Sequence, residues 1–163
     1  VRPLGGASHM RFIGLHRSSG EAFKAAERFV SFRIWGGPRN LSGDTVAVFV
    51  DNDNVMAGAV FFQNYDSETG VIELTGASVS PRFLTRKTLH ELYAYAFDTL
   101  ACQTVMQVAR ADDTHQARLL PRYGFKRYDV PRLKGRNTDA AIYVLHDDVW
   151  RTGKFYKGDR NGQ

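Results

Sequence analysis

Apolar and polar positions along this chain change their period once, and the change separates two halves of different character. In the first half a short apolar start, Met10–Leu15, leads to Ser18 and Ser19 ahead of Glu21, which predicts a helix N-terminus. Phe23, Ala26, Glu27 and Val30 keep helical spacing until Gly36-Gly37-Pro38, which predicts the stop. Thr45–Val50 is β-branched and apolar, and the turn Asp51-Asn52-Asp53-Asn54 leads into a second apolar run, Val55–Phe62. A further turn, Asp66-Ser67-Glu68-Thr69-Gly70, precedes Val71–Val79. These runs predict three strands joined by hairpins.

The second half takes up the helical period. Leu89, Leu92, Tyr93, Ala96, Phe97 and Leu100 form one stripe and predict a helix over Arg86–Leu100. Thr104–Ala109 predicts a strand, and His115–Arg122 a brief helix stopped by Tyr123-Gly124-Phe125. Two last strands follow, Lys126–Val130 and Ala140–Leu145, with a polar loop at Lys134–Asp139 between them. Antiparallel strands followed by β-α-β-α-β predict an α/β domain (α+β mixed sheet), with helices on both faces of one sheet. Val1–His9 ends in Ser-His-Met without periodicity and reads as a vector-derived scar. Residues 10–150 read as a single domain, and 151–163 as a flexible basic tail.

Composition narrows the partners. A hydrophobic content of 43% with 24% charged residues suits a globular core rather than a disordered chain. No apolar run approaches the roughly 18 residues that span a bilayer, so a soluble, cytoplasmic protein without a membrane partner is expected. Cys102 is the only cysteine, which excludes an internal disulfide and a cysteine-rich metal site; no metal is expected. The net charge of +5 favours an anionic partner and leaves nucleic acid, nucleotide cofactor and acidic protein open.

The most informative segment is Val79-Ser80-Pro81-Arg82-Phe83-Leu84-Thr85-Arg86-Lys87-Thr88-Leu89. A strand ends, Pro81 breaks it, and a helix opens where hydroxyls and cations crowd together. The first turn of a helix carries unpaired N–H groups and partial positive charge, so it attracts anions. Thr85 and Thr88 can cap it, and Thr88 with Glu91 fits a capping box. Capping alone does not need Arg82, Arg86 and Lys87, which at that end of the dipole favour an anionic ligand.

A strand ending in Val-x-Pro, a loop and a long amphipathic helix resemble the acyl-CoA-binding core of the GNAT acyltransferase superfamily. Asp113-Thr114-His115-Gln116-Ala117-Arg118-Leu119-Leu120-Pro121-Arg122-Tyr123-Gly124-Phe125 resembles its second signature, a short helix closing on Gly-Phe. The Tyr143 strand with Asp147-Asp148-Val149-Trp150 is similar to the RimJ/RimL-like branch, and Phe-Leu-Thr-Arg-Lys to bacteriophage-encoded members, which act in the host cytoplasm. The resemblance covers roughly Thr45–Trp150 and implies transfer of an acetyl group from acetyl-CoA to an amine by direct attack. It implies coenzyme A contacts at Val79, Arg82, Leu84, Thr85, Arg86, Lys87 and Thr88.

Two positions depart from the family pattern. Its pyrophosphate loop has Gln or Arg followed by two glycines, where this chain has Leu84, Lys87 and Leu89. Cofactor contacts would then rest on the helix N-terminus and on charge-assisted bonds from the three cations. The family's general-acid tyrosine falls at Leu120, which leaves Tyr123, about one helical turn on, as the candidate acid. Glu73, six residues before Val79, matches the general base of the histone-acetylating branch. His90 and His115 read as surface residues. Asp113 with Tyr123 matches instead the phage Mom type, which keeps the fold and modifies adenine in DNA; the aromatic and basic tail suits that alternative. A binding module that has lost catalysis is the third alternative. The amine acceptor, protein or small molecule, is not specified by the sequence, and specificity is expected in the Phe32–Ser42 and Lys134–Asp139 loops.

Overall fold

In the computed structural model, which describes residues 10–79 and 83–156, the chain runs β1 (Arg11–His16), α1 (Glu21–Trp35), β2 (Thr45–Val50), β3 (Met56–Asp66) and β4 (Val71–Ser78). It continues through α2 (Arg86–Ala94), β5 (Thr104–Arg110), α3 (Thr114–Leu119), β6 (Lys126–Gly135), β7 (Thr138–His146) and α4 (Asp147–Thr152). Seven strands make one sheet in the order β1-β2-β3-β4-β5-β7-β6, with every pair antiparallel except β4 and β5. None of the described helices is long and apolar enough to cross a membrane.

Strand alternation sends successive side chains to opposite faces and so builds two cores. Val46, Val48, Val50, Ala59 and Phe61 meet Phe23, Ala26 and Val30 of α1 on one face. Ala47, Phe49, Val60, Phe62, Ile72 and Leu74 meet Leu89, Leu92, Tyr93, Ala96, Phe97 and Trp150 on the other. β2 and β3 are covered on both sides, which is why they read as continuous apolar runs.

Local chemistry sets several boundaries differently from expectation. Met10–Leu15 supplies a fourth strand in the first half, because β1 pairs with β2 from Arg11–Val50 to His16–Thr45; as an edge strand it stays half-exposed and lacks a clear pattern. α1 reaches Trp35 and ends where Gly36 adopts φ 72° and donates its N–H to Phe32 O at 2.9 Å. The expected Phe32–Ser42 loop therefore begins at Gly36. The box that caps α2 joins Thr85 and Thr88, not Thr88 and Glu91. Past Ala94 the helix widens into a π-turn over Tyr95–Thr99. The predicted short helix divides into α3 and a 3₁₀ turn, Leu120–Tyr123. β6 and β7 extend toward each other until only Arg136 and Asn137 lie between them, so Lys134 and Asp139 belong to strands.

The end of the chain also differs. Arg151 lies in α4 and pairs with Asp98 at 2.8 Å, while Phe155 and Tyr156 pack on the larger core. Residues 1–9 and 157–163 lie outside the described residues, as do Ser80, Pro81 and Arg82.

Candidate functional site

β4 and β5 pair at only three positions, Val71–Thr104, Ile72–Val105 and Glu73–Met106, and then separate. β4 stays bonded to β3 as far as Ser78, and β5 to β7 as far as Arg110. Beyond the fork the two strands turn unpaired edges toward each other. Such backbone groups need partners, and an extended ligand can supply them.

Cavities open on both faces of this fork. One, about 570 Å³, lies on the α2 face and is lined by Ser78, Val79, Leu84, Tyr93, Asp113 and Tyr123 among others. The other, about 630 Å³, is bounded by the end of α1, Arg39, Arg110 and Lys134. Arg33, Gly76, Gln107, Asp113, Gln116 and Leu120 are among the residues that line both, so the two spaces meet at the fork.

The sequence-predicted residues fall into three groups around it. Val79 and Leu84 line the α2-side cavity. Thr85, Arg86, Lys87 and Thr88 follow Leu84 at the start of α2. Thr85 Oγ1 accepts the Thr88 amide at 3.1 Å, and Thr88 Oγ1 accepts the Thr85 amide at 2.8 Å. The buried Thr88 hydroxyl is therefore committed to the cap, whereas the Arg86 and Lys87 side chains are exposed. The Arg86 guanidinium lies 5.8 Å from the Phe155 ring. Arg82, expected to join them, lies outside the described residues. Phe83 lies on Gly58, where a β-carbon would overlap its ring; that close approach places the segment leading into α2.

Asp113 caps α3, accepting the Gln116 amide at 3.1 Å through Oδ1, and lines both cavities. Tyr123 lines the α2-side cavity with its ring edge-on to Phe155 at 5.1 Å. Burial pushes its hydroxyl pKa up, with Arg122 opposing the shift. Glu73 sits at the last β4–β5 pair, accepts a bond from Asn64 Nδ2 at 2.8 Å, and lines neither cavity. His115 stands at the rim, exposed, among the residues lining the α2-side cavity.

Among the lining residues that the sequence did not single out are Tyr93 and Gln107. Tyr93 belongs to the apolar stripe of α2 and reads there as core, but it also borders the cavity. Gln107 could have been noticed as the one polar side chain within Val105-Met106-Gln107-Val108. Burial is the main cause that raises the Tyr93 hydroxyl far above its ordinary value of 10.0, with Tyr123 adding to it. The folded protein thus holds a proton that the unfolded chain releases above pH 10, and stability should fall there by about 1.4 kcal/mol per pH unit. Urea unfolding at pH 9 and 11 checks this: Tyr93→Phe should show the smaller loss, and equal losses would refute the assignment.

No protein-family model matches the chain, and no curated protein matches it in sequence. Solved structures do match in shape. A GCN5-related N-acetyltransferase from Brucella melitensis superposes with a TM-score of 0.60 at 20% identity, covering 90% of this chain and 79% of that one. Spermidine N-acetyltransferase from Vibrio cholerae, solved with CoA and spermine, superposes with a TM-score of 0.65 at 12% identity, covering 86% and 97%. The chain has the GNAT-type acetyltransferase fold, with the mixed sheet and two-sided helix cover expected from its sequence.

Proposed function

We propose that this chain transfers an acyl group, acetyl in the first instance, from coenzyme A to an amine. The observation that carries this is the fork between β4 and β5, which joins a cavity on each face of the sheet and brings Asp113 and Gln107 to the junction. Its unpaired strand edges suit the amides of a pantetheine arm. Arg86 and Lys87, exposed beside the capped N-terminus of α2, suit a pyrophosphate without the family's glycines.

The amine nitrogen attacks the thioester carbonyl; a C–N bond forms and the C–S bond breaks. The nitrogen loses one proton and the sulfur gains one. Asp113 Oδ2 is our proton acceptor, through water, because Asp113 borders both cavities and its Oδ1 is held by the cap. Tyr123, kept protonated by burial, is the donor to the departing thiolate. Glu73, bound to Asn64 at the apex, supports the fork from outside the cavities. Cys102 is buried, its thiol pushed up by burial, and it lines neither cavity, which favours direct attack over an acyl-enzyme. An unpaired, buried cysteine also suits a reducing cytoplasm.

Calorimetric titration with acetyl-CoA, with 3′,5′-ADP as control ligand, tests the cofactor. Micromolar binding supports the proposal, and no binding at millimolar concentration overturns it. Arg86→Ala with Lys87→Ala should weaken binding by ~1–3 kcal/mol, as for charge-assisted hydrogen bonds. Unchanged affinity would place the pyrophosphate elsewhere.

A further inference from the structure

The cavity on the α1 face has a charge that restricts which amines can occupy it. Arg33, Arg39 and Lys134 border it, and among the described residues none of the three has an acidic partner. Arg110 also borders it but is held by Asp112 at 2.9 Å. Asp113 is the one carboxylate on this wall, and one of its oxygens is taken by the α3 cap.

Local structure accounts for only part of this. Arg33 lies in the last turn of α1, where the helix dipole favours a cation. Its guanidinium lies over the Phe29 ring at 4.5 Å. Arg39 follows Pro38 in a loop with its guanidinium over the Trp35 ring at 4.6 Å, and Lys134 comes from β6 on the far side of the cavity. Stacking on a ring leaves the N–H edge of each guanidinium free for an anion. Cations from three separate segments line one space and give it a positive potential. An anion entering the cavity meets that potential, and guanidinium groups in pairs match phosphate oxygens.

We propose that this cavity is the acceptor site and takes an amine carried on a phosphate-bearing molecule, with Arg33, Arg39 and Lys134 around the phosphate. The proposal rests on the acyl-transfer reading and narrows its substrate. The acceptor nitrogen forms the C–N bond as the C–S bond breaks, its proton leaves and the sulfur is protonated; the phosphate is unchanged. A polycation such as the spermine bound by the Vibrio cholerae enzyme meets like charge here.

The test measures binding in the presence of saturating CoA, so that the cations beside α2 are occupied. Four probes are titrated: O-phosphoethanolamine, a short single-stranded oligodeoxynucleotide, ethanolamine and spermidine. One phosphorylated probe at least should bind ten times or more tighter than ethanolamine and spermidine, and which of the two does so separates a small phosphate ester from a polynucleotide. Arg39→Glu with Lys134→Glu should remove that preference without lowering the melting temperature, since both side chains are exposed. Thiol release from acetyl-CoA should rank the amines in the same order. Spermidine or ethanolamine binding as tightly as the phosphorylated probes, or a preference that survives the double substitution, overturns the proposal. Phosphate-dependent binding lost in the double variant, with no thiol release from any amine, refutes acyl transfer but keeps the cavity's ligand. Thiol release without any phosphate preference does the reverse.

Discussion

Trp150→Ala should lower the free energy of unfolding by about 3–5 kcal/mol, the range for deleting a fully buried large aromatic. Trp150 is 2% exposed and is the one buried residue of α4. It stacks on Phe97 at 5.1 Å and on His90 at 5.6 Å, and Tyr156 meets it edge-on at 4.8 Å. Its indole N–H and His90 Nδ1 are both buried without a hydrogen-bond partner among the described residues. Its contribution is therefore apolar contact and ring packing, which alanine removes while leaving a cavity against α2. Because α2 carries the Thr85–Thr88 cap, coenzyme A affinity should weaken along with stability. Urea unfolding reads the first effect and calorimetry the second. A loss below 1 kcal/mol would show that α4 is peripheral to the fold.

Tyr123→Phe should lower kcat by about 100-fold, at the lower end of general acid–base contributions, with little change in KM. Phenylalanine keeps the ring against Phe155 and removes only the hydroxyl, so folding should be unaffected. Burial raises the pKa of this hydroxyl. Since its pKa lies above the ordinary 10.0, the acid stays protonated up to that pH, and the wild-type rate should fall only in more alkaline solution. That fall should be missing in the variant. If kcat drops less than threefold, Tyr123 serves packing alone, and Tyr93, which borders the same cavity, becomes the residue to replace.

Much of this architecture can be read from local pattern. The α1 stop is written in Gly36, which alone of that stretch adopts the left-handed conformation without a β-carbon clash. The stripe from Leu89 to Phe97 marks the buried face of α2 and of the π-turn after it, and the hydroxyls and cations at Thr85–Thr88 mark the N-terminus of α2. Val79 and Leu84, on either side of the strand-to-helix segment, line the α2-side cavity. These signals are legible because each depends on residues within about one turn or one strand of each other.

The rest required distant parts of the chain to meet. Tyr93 looks like core because helical spacing reports which face is covered and not which cavity the covered residue borders. The fork has no local signature, since β4 and β5 belong to separate stretches and part company through their bonds to β3 and β7. Glu73 and Asp113 are both carboxylates near strand or helix ends in sequence. Only the fork's position leaves Glu73 at the apex with Asn64 and puts Asp113 on both walls. The sequence by itself determined most of the elements, their order and a capped helix start rich in cations, because propensity, capping and periodicity act over a few residues. Tertiary structure decided which side chains share a cavity and which charges converge at Arg33, Arg39 and Lys134, because pairing across the sheet joins residues that no short-range pattern links.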